Sequence, residues 1–346
     1  MTERKLVTVR KIAALDPIPG ADAIQVATVD GWKIVVRVGE FNVGDYCIYA
    51  EIDSWIPTEI APFLSKGQEP RVFEGVRGER LRTIRLRGQI SQGLLLPYSI
   101  LGRIASLGED VTDELGIKKY EAPIPAELAG QVKGMFPNFA IRSDQERCQN
   151  LVQEIFIDNA AARYEISMKL DGTSVTYYSL NGGIGACSRN LELKVNEENK
   201  DNSIVKVFTD SRLRDLLPEI DNIAIQGELM GNGIQGNREG LTAHKFFIYN
   251  MQDISTKRFI APAERMSILN RLYELGVDKK MIDHVPILHN DIDLGTLNLN
   301  SVDELLTFAE GPSLVHPIRE GLVFKRLDGG FSFKSISNKF LEKEKN

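Results

Sequence analysis

Only three cysteines, Cys47, Cys148 and Cys187, occur in 346 residues, and they are widely spaced and odd in number. That usage argues against a disulfide framework and a zinc site, and it predicts a reducing compartment, cytoplasmic or otherwise intracellular. Runs of roughly 18 or more apolar residues are missing, which excludes a membrane-spanning helix. The opening MTERKLVTVRK has none of the apolar core of a secretory signal and reads as a first strand. Histidine is scarce and scattered (His244, His284, His289, His316), with no G-x-S-x-G beside it. A histidine-based triad is therefore not expected, and these four read as ordinary surface or core residues. G-x-x-x-x-G-K-[ST] does not occur, so a P-loop is excluded. The glycine-rich GNGIQG (Gly231–Gly236) matches a dinucleotide fingerprint in letters alone. The following NREGLTA opens no helix with an apolar stripe, and the βαβ context is lacking. Internal repeats and low-complexity segments are also missing.

What is present is ordinary in bulk. Apolar residues make up 42% and charged residues 26%, the balance of a soluble globular protein. The length predicts two domains. Net charge is −6, so the whole-molecule field repels phosphate and any nucleic-acid affinity must come from a local patch. Residues 1–115 are short strand-like runs (KLVTVRKI, AIQVATV, WKIVVRV, YCIYAEI, LRTIRLRG, GLLLP) punctuated by Gly and Asp, as in a small β-barrel or sandwich. Residues 116–140 carry three prolines without a clear period and read as an extended linker. Residues 141–346 mix strands (SVTYYSL, IAIQGELM, FFIYNM, GLVFKR) with helices, an α+β pattern. In APAERMSILNRLYELGV, Met266, Leu269, Leu272 and Leu275 recur by threes and Gly276 can end the helix, while SVDELLTFAEG opens with a capping-box pattern.

Between Lys66 and Arg103 eight basic residues face three acidic ones. RLRTIRLRG sets Arg80 with Arg82, and Arg85 with Arg87, at period two, a row of guanidinium forks that could track a phosphate backbone. A solubilising outer face of a barrel explains the same residues equally well. The longer text ADAIQVATVDGWKIVVRVGEFNVGDYCIYAEI, with RGQISQGLLLP further on, resembles the oligonucleotide-binding (OB) barrel of tRNA-binding domains.

The segment EISMKLDGTSVTYY (165–178) alternates polar and apolar residues on both sides of LDG and reads as two strands meeting at a hairpin mouth, with Lys169 beside Asp171. A solvated turn would explain that pair, and K-x-D-G alone proves little, since roughly one chain in ten of this size would contain it by chance. The ordered set downstream is more specific: Arg189 in SRN, Glu228 in GELMG, Phe247 and Tyr249 in FFIYNM, Glu320 and Lys325 in EGLVFK, and Lys334 in FSFKSIS. Taken singly, Glu228 would be a surface glutamate, the aromatics core residues and Lys325 a solvated strand charge.

Together the set resembles the covalent nucleotidyltransferases, the ATP-dependent polynucleotide ligases and capping guanylyltransferases. SDQERCQNL before the lysine and GELMGNGIQGN after it look like nick-sealing RNA ligases. An N-terminal OB-type barrel joined through KYEAPIP is similar to the fifth RNA ligase family, and the resemblance spans essentially the whole chain. It implies residues 1–115 as a nucleic-acid-binding barrel, 116–140 as linker, and 141–346 as an ATP-grasp-like adenylyltransferase domain of antiparallel sheets with flanking helices.

The resemblance implies lysyl-AMP formation on Lys169, using ATP and Mg²⁺ or Mn²⁺, then sealing of an RNA 3′-hydroxyl to a 5′-phosphate of RNA or DNA, on single strands or a duplex, by a monomer serving RNA repair. It makes Lys169, Asp171, Glu228, Glu320, Lys325 and Lys334 catalytic. Asp171, Glu228 and Glu320 are the metal carboxylates. Arg147, Met168, Arg189, Phe247 and Tyr249 join Lys169, Glu228, Lys325 and Lys334 around the nucleotide: Arg189 at the ribose, Tyr249 or Phe247 on adenine, Lys325 and Lys334 toward phosphates, and Arg147 as a pyrophosphate clamp. Related ligases carry K-x-K where this chain has Lys334-Ser335-Ile336, which leaves Lys339 as the next lysine. A GTP-dependent capping-type transferase and a non-catalytic RNA-binding protein on a degenerate transferase fold are the alternatives.

Overall fold

The computed structural model describes residues 5–120, 130–142 and 144–343. The chain divides into two compact units, Met1–Pro123 with Glu342–Asn346, and Ile124–Leu341. Among the described residues no helix is long and apolar enough to cross a membrane.

In the first unit YCIYA forms the strand Tyr46–Ala50 between Val7–Lys11 and Leu94–Pro97. Its near-continuous apolar run has a reason: Ile48 and Ala50 pack with Val7, Val9 and Leu96, while Cys47 and Tyr49 pack on the other side with Trp32, Ile34 and Leu95. A strand buried on both faces cannot alternate with polar residues. A meander (Ala14–Ile18, Ala21–Val29, Trp32–Arg37), a four-stranded sheet and the hairpin Ile84–Leu86 with Gln89–Ser91 complete the unit. The basic stretch does not form one row of forks. Arg71, Arg77 and Arg103 pair with Glu79, Glu69 and Glu114, and Arg80 lies 2.5 Å from Asp53. Arg87 is a turn residue at φ 47°, so the period of two is broken there. Arg82 and Arg87 remain exposed.

The stretch expected to be a linker is structured at both described ends. Lys118–Lys119 pairs with Ser54–Pro57, and Tyr120 stacks on Trp55 at 5.7 Å. Val132–Met135 pairs with Leu191–Leu193 in the second unit. Residues 121–129 of that expectation lie outside the described residues.

The second unit holds two sheets. The larger runs Val132–Met135, Leu191–Leu193, Gly183–Cys187, Thr173–Leu180, Ile223–Met230, Lys245–Asp253 and Arg258–Phe259, with Ile282–His284 pairing parallel to Lys245–Asp253. The smaller runs Glu146–Arg147, Ser332–Ile336, Gly321–Arg326, Arg163–Lys169 and Ile287–Asp293. Each sheet buries one face under helices. Tyr177, Ile225, Phe246 and Ile248 pack with Phe208 of helix Ser203–Asp210 and with Leu269 and Leu272 of helix Pro262–Leu275, which ends at Gly276 (φ 109°). Tyr164, Ile166, Phe324 and Phe333 pack with Leu305 and Leu306 of helix Val302–Phe308. Ser301 caps that helix by accepting from Glu304 N–H, while Glu304 accepts from Asn300 N–H, one residue outside the expected box. All three cysteines are buried and free.

The two strands flanking LDG are present, but they do not form a hairpin. Arg163–Lys169 is flanked by Gly321–Arg326 and Ile287–Asp293, and Thr173–Leu180 by Gly183–Cys187 and Ile223–Met230. With both sides of each strand taken, the chain at Leu170–Gly172 crosses from one sheet to the other. Lys169 therefore stands where the two inner faces meet.

Candidate active site

Alternation along the strands selects what faces the cleft. In the smaller sheet Glu165, Ser167 and Lys169 lie opposite Lys325, Val323 and Gly321, and Lys334 lies opposite Val323 with Arg147 beside it in register. In the larger sheet Ser174, Glu228 and Phe247 form one cross-strand row. A register shift between Gln226 and Gly227 makes Tyr249 the extra residue of a bulge, a device that re-aims a side chain. Its hydroxyl lies 3.0 Å from Ser174 Oγ.

Two glycines permit the close approach. A Cβ on Gly172 would sit 2.5 Å from the Leu229 carbonyl oxygen, and one on Gly321, opposite Lys169, 2.2 Å from the Ser335 carbonyl oxygen. Gly172 N–H donates to Glu228 Oε1 at 3.1 Å, which ties the Lys169 loop to the other sheet.

Lys169 Nζ lies 2.7 Å from Glu320 Oε1. Burial disfavours its ammonium, but the charges of Glu320 and Glu228 outweigh that and raise its pKa above the ordinary lysine value. Glu228 is pushed up to about 8, chiefly by burial, with Glu320 and Asp171 adding to the rise and Lys169 opposing it. Asp171 Oδ2 is 3.6 Å from Arg238 Nη1. Acidic groups crowded around one lysine, with Glu228 shifted toward its neutral form, are thus the dominant electrostatic feature.

A second group forms around Lys334, whose Nζ donates to Asp144 Oδ1 at 2.9 Å, while Arg189 Nη2 lies 3.4 Å from Asp144 Oδ2. Arg147 is buried next to Lys334. Met168 and Tyr249 both pack against the cluster of Leu170, Met230, Phe247 and Val285. Lys325 is buried, and its Nζ donates to the Tyr249 carbonyl oxygen; burial, reinforced by Arg265, takes its pKa well below the ordinary value. Ile336, at the second K-x-K position, is buried against Phe340 and Leu341, and Lys339 pairs with Glu310 at 2.6 Å.

The structure does not draw the three expected carboxylates into one cage. Among the described residues no three His, Cys, Asp or Glu side chains are close enough to hold a metal ion. Glu320 is turned to Lys169, Glu228 to Gly172 N–H and Asp171 to Arg238.

A family model for an OB-fold domain matches residues 6–98, and one for RNA ligase matches residues 162–336. A ligand-free point mutant of Naegleria gruberi RNA ligase superposes with TM-score 0.90 and 43% identity, covering 100% of this chain and 99% of that one. The chain belongs to the RNA ligase family. A point mutant of the Naegleria enzyme solved with ATP and Mn gives TM-score 0.88 and 42% identity over 99% of this ligase and 100% of that chain. The same enzyme with PPi gives 0.88 and 43%, with 99% of both chains covered. No curated protein matches the sequence.

Three residues engaged with these groups carry no signal in the sequence. Asp144 lies in SDQERCQNL, 190 residues before the Lys334 it pairs with, so nothing local marks it. Arg238 follows the glycine-rich loop that had been set aside; its guanidinium also covers the Phe340 ring at 4.6 Å. Arg265 sits in a helix read only for its apolar spacing, yet it is buried and bonds Glu165 and His284.

His284 carries a prediction. Burial, with Arg265 beside it, pushes its pKa down to about 3 from an ordinary 6.5. The folded ligase holds it neutral while the unfolded chain protonates it. Its contribution is thus complete above about pH 6.5 and declines as pH falls toward 3, by up to about 1.4 kcal/mol per pH unit. Thermal melts at pH 7 and pH 5 should show a smaller loss in His284→Gln than in wild type; equal losses would refute the assignment.

Proposed function

We propose that this protein is an ATP-dependent RNA ligase that joins an RNA 3′-hydroxyl to a 5′-phosphate through a lysyl-AMP intermediate. One observation carries the reading: Lys169 stands at the junction of two sheets among Glu320, Glu228 and Asp171, in a chain 42% identical, nearly end to end, to a ligase solved with ATP and Mn. The amine of Lys169 attacks the α-phosphorus of ATP, forming an N–P bond while the bond to pyrophosphate breaks and the lysine proton is released. A polynucleotide 5′-phosphate oxygen then attacks the same phosphorus, and the N–P bond breaks with return of a proton to the amine. The RNA 3′-hydroxyl finally attacks the 5′-phosphorus and AMP leaves. Each step is a displacement at phosphorus, governed by alignment and charge stabilisation.

The proposed roles carry the family resemblance onto these positions. Tyr249 and Phe247 flank the base, Arg189 meets the ribose, and Lys334 with Arg147 meets phosphate oxygens once Asp144 yields. The carboxylates fit a hard divalent ion held by one or two of them together with nucleotide phosphates and water, as Mg²⁺ and Mn²⁺ sites are commonly built, which matches a set that forms no cage by itself. Such an ion supplies charge neutralisation at the carboxylates and phosphates. Glu320 and Glu228 orient Lys169, and they keep it protonated until their charge is offset. The unit containing residues 1–115 grips the RNA, with exposed Arg82 and Arg87 as its phosphate contacts, residues 116–140 join it to the rest, and residues 141–346 carry the chemistry. RNA repair in a reducing compartment is the role that suits nick sealing and three free cysteines.

The test is incubation with α-labelled ATP or GTP and a divalent cation, followed by denaturing electrophoresis. Label from ATP retained on the protein is expected. Label from GTP alone would point to a capping-type transferase, and no label from folded, AMP-free protein would point to a binding protein.

A further inference from the structure

Behind Tyr249 lies a buried ionic cluster that the reaction above does not use. Arg265, only 1% exposed, donates from Nη2 to Glu165 Oε2 at 2.6 Å and Oε1 at 2.7 Å, and from Nε to His284 Nε2 at 2.9 Å. Because a guanidinium only donates, His284 Nε2 accepts, and its Nδ1–H donates to the Val285 carbonyl at 2.6 Å. Glu165 belongs to the smaller sheet and His284 to the larger, so one helix side chain bonds both. Lys325, directly opposite Glu165, makes a second crossing, from the smaller sheet to the carbonyl of the Tyr249 bulge.

Charges buried this deeply are a poor way to gain stability, since a well-packed apolar set of similar volume is often as stable or more so. Hydrogen bonds are directional and hold groups at set separations, whereas apolar layers can slide. We infer that Arg265, Glu165 and Lys325 are positioning residues that set the gap between the two sheets at Tyr249, and hence the fit of the nucleotide base. The inference rests on the ligase reading, because it takes Tyr249 as the base platform. It separates Lys325 from the phosphate-facing role expected of it: the ammonium is directed at the bulge, and Glu165 with its Arg265 partner fixes the strand that delivers it.

The test is the double variant Glu165→Leu/Arg265→Met, which removes the two opposite charges together and leaves the neutral His284 Nε2 without its donor. The full-length protein should keep a melting temperature within about five degrees of wild type. In lysyl-AMP formation the KM for ATP should rise roughly tenfold or more while kcat at saturating ATP changes much less, the pattern of lost uniform binding. Preference for ATP over GTP should narrow. Lys325→Met should likewise raise KM more than it lowers kcat. Wild-type KM and selectivity in the folded double variant would overturn the inference, as would a Lys325→Met that loses kcat with KM unchanged. Calorimetric ATP binding separates the two readings. Wild-type protein that binds ATP without forming lysyl-AMP would refute the ligase, while weaker ATP binding in the double variant would still uphold the positioning role and equal binding would refute it.

Discussion

Lys169→Ala is expected to eliminate covalent nucleotide transfer while leaving the fold intact. The backbone of residue 169 pairs with Gly321 whatever its side chain, and 27% of the Lys169 side chain is exposed, so truncation opens no sealed cavity. The chemistry has no substitute nearby. Lys334 is directed at Asp144, and Lys325 at the Tyr249 carbonyl. Lys169→Arg should be equally inactive despite keeping a cation beside Glu320, because guanidinium does not deprotonate in proteins and cannot attack phosphorus. Retained label on protein incubated with α-labelled ATP, read beside thermal melts, checks both variants. A labelled and folded Lys169→Ala would place the nucleophile elsewhere.

Gly172→Ala should cost about a hundredfold in the rate of lysyl-AMP formation without touching a chemical group. The added Cβ would meet the Leu229 carbonyl oxygen at 2.5 Å, Met230 Cγ at 2.8 Å and Glu228 Cγ at 3.0 Å. The first is backbone inside a paired strand and cannot swing aside, so the loop must back away and Gly172 N–H must leave Glu228. Displacing a reacting group by about 1 Å is enough for a loss of that size. Overpacking adds about 1–3 kcal/mol of destabilisation. Single-turnover adenylation with melts at matched pH measures both, and a wild-type rate would show that the loop has slack the structure does not suggest.

Legibility differed by element for physical reasons. The strands of EISMK and SVTYY were legible because one face packs in an apolar core while the other carries the polar groups of the cleft, which writes a period of two into the sequence although both faces are buried. Glu228 and Glu320 were readable only as members of an ordered set, because an isolated glutamate in a strand, or just before one, carries no local mark of its surroundings. The two strands at LDG do not form a hairpin because each is already paired on both sides, one with residues 287–293 and 321–326, the other with 183–187 and 223–230. The first strand's partners, more than a hundred residues away, leave no mark on the local text. Arg87 failed its strand assignment because a turn at Arg87-Gly88 closes a short hairpin within the basic stretch.

The Tyr249 bulge was illegible for a different reason. It arises from a one-residue mismatch between two strands, and neither strand's own text records the register of the other. Glu165, Arg265 and His284 are spread over residues 165–284, so their convergence leaves no spacing to read. Sequence alone therefore determined the chemical inventory and its order: a lysine, three carboxylates, aromatics on a strand and further cations, within strands that alternate. Tertiary structure decided which groups are engaged with which: Glu320 with Lys169, Asp144 with Lys334, and Lys325 with the bulge carbonyl. Order along a chain is covalent and survives unfolding, whereas charge pairing depends on distance and burial, which exist only once the two sheets close on one another.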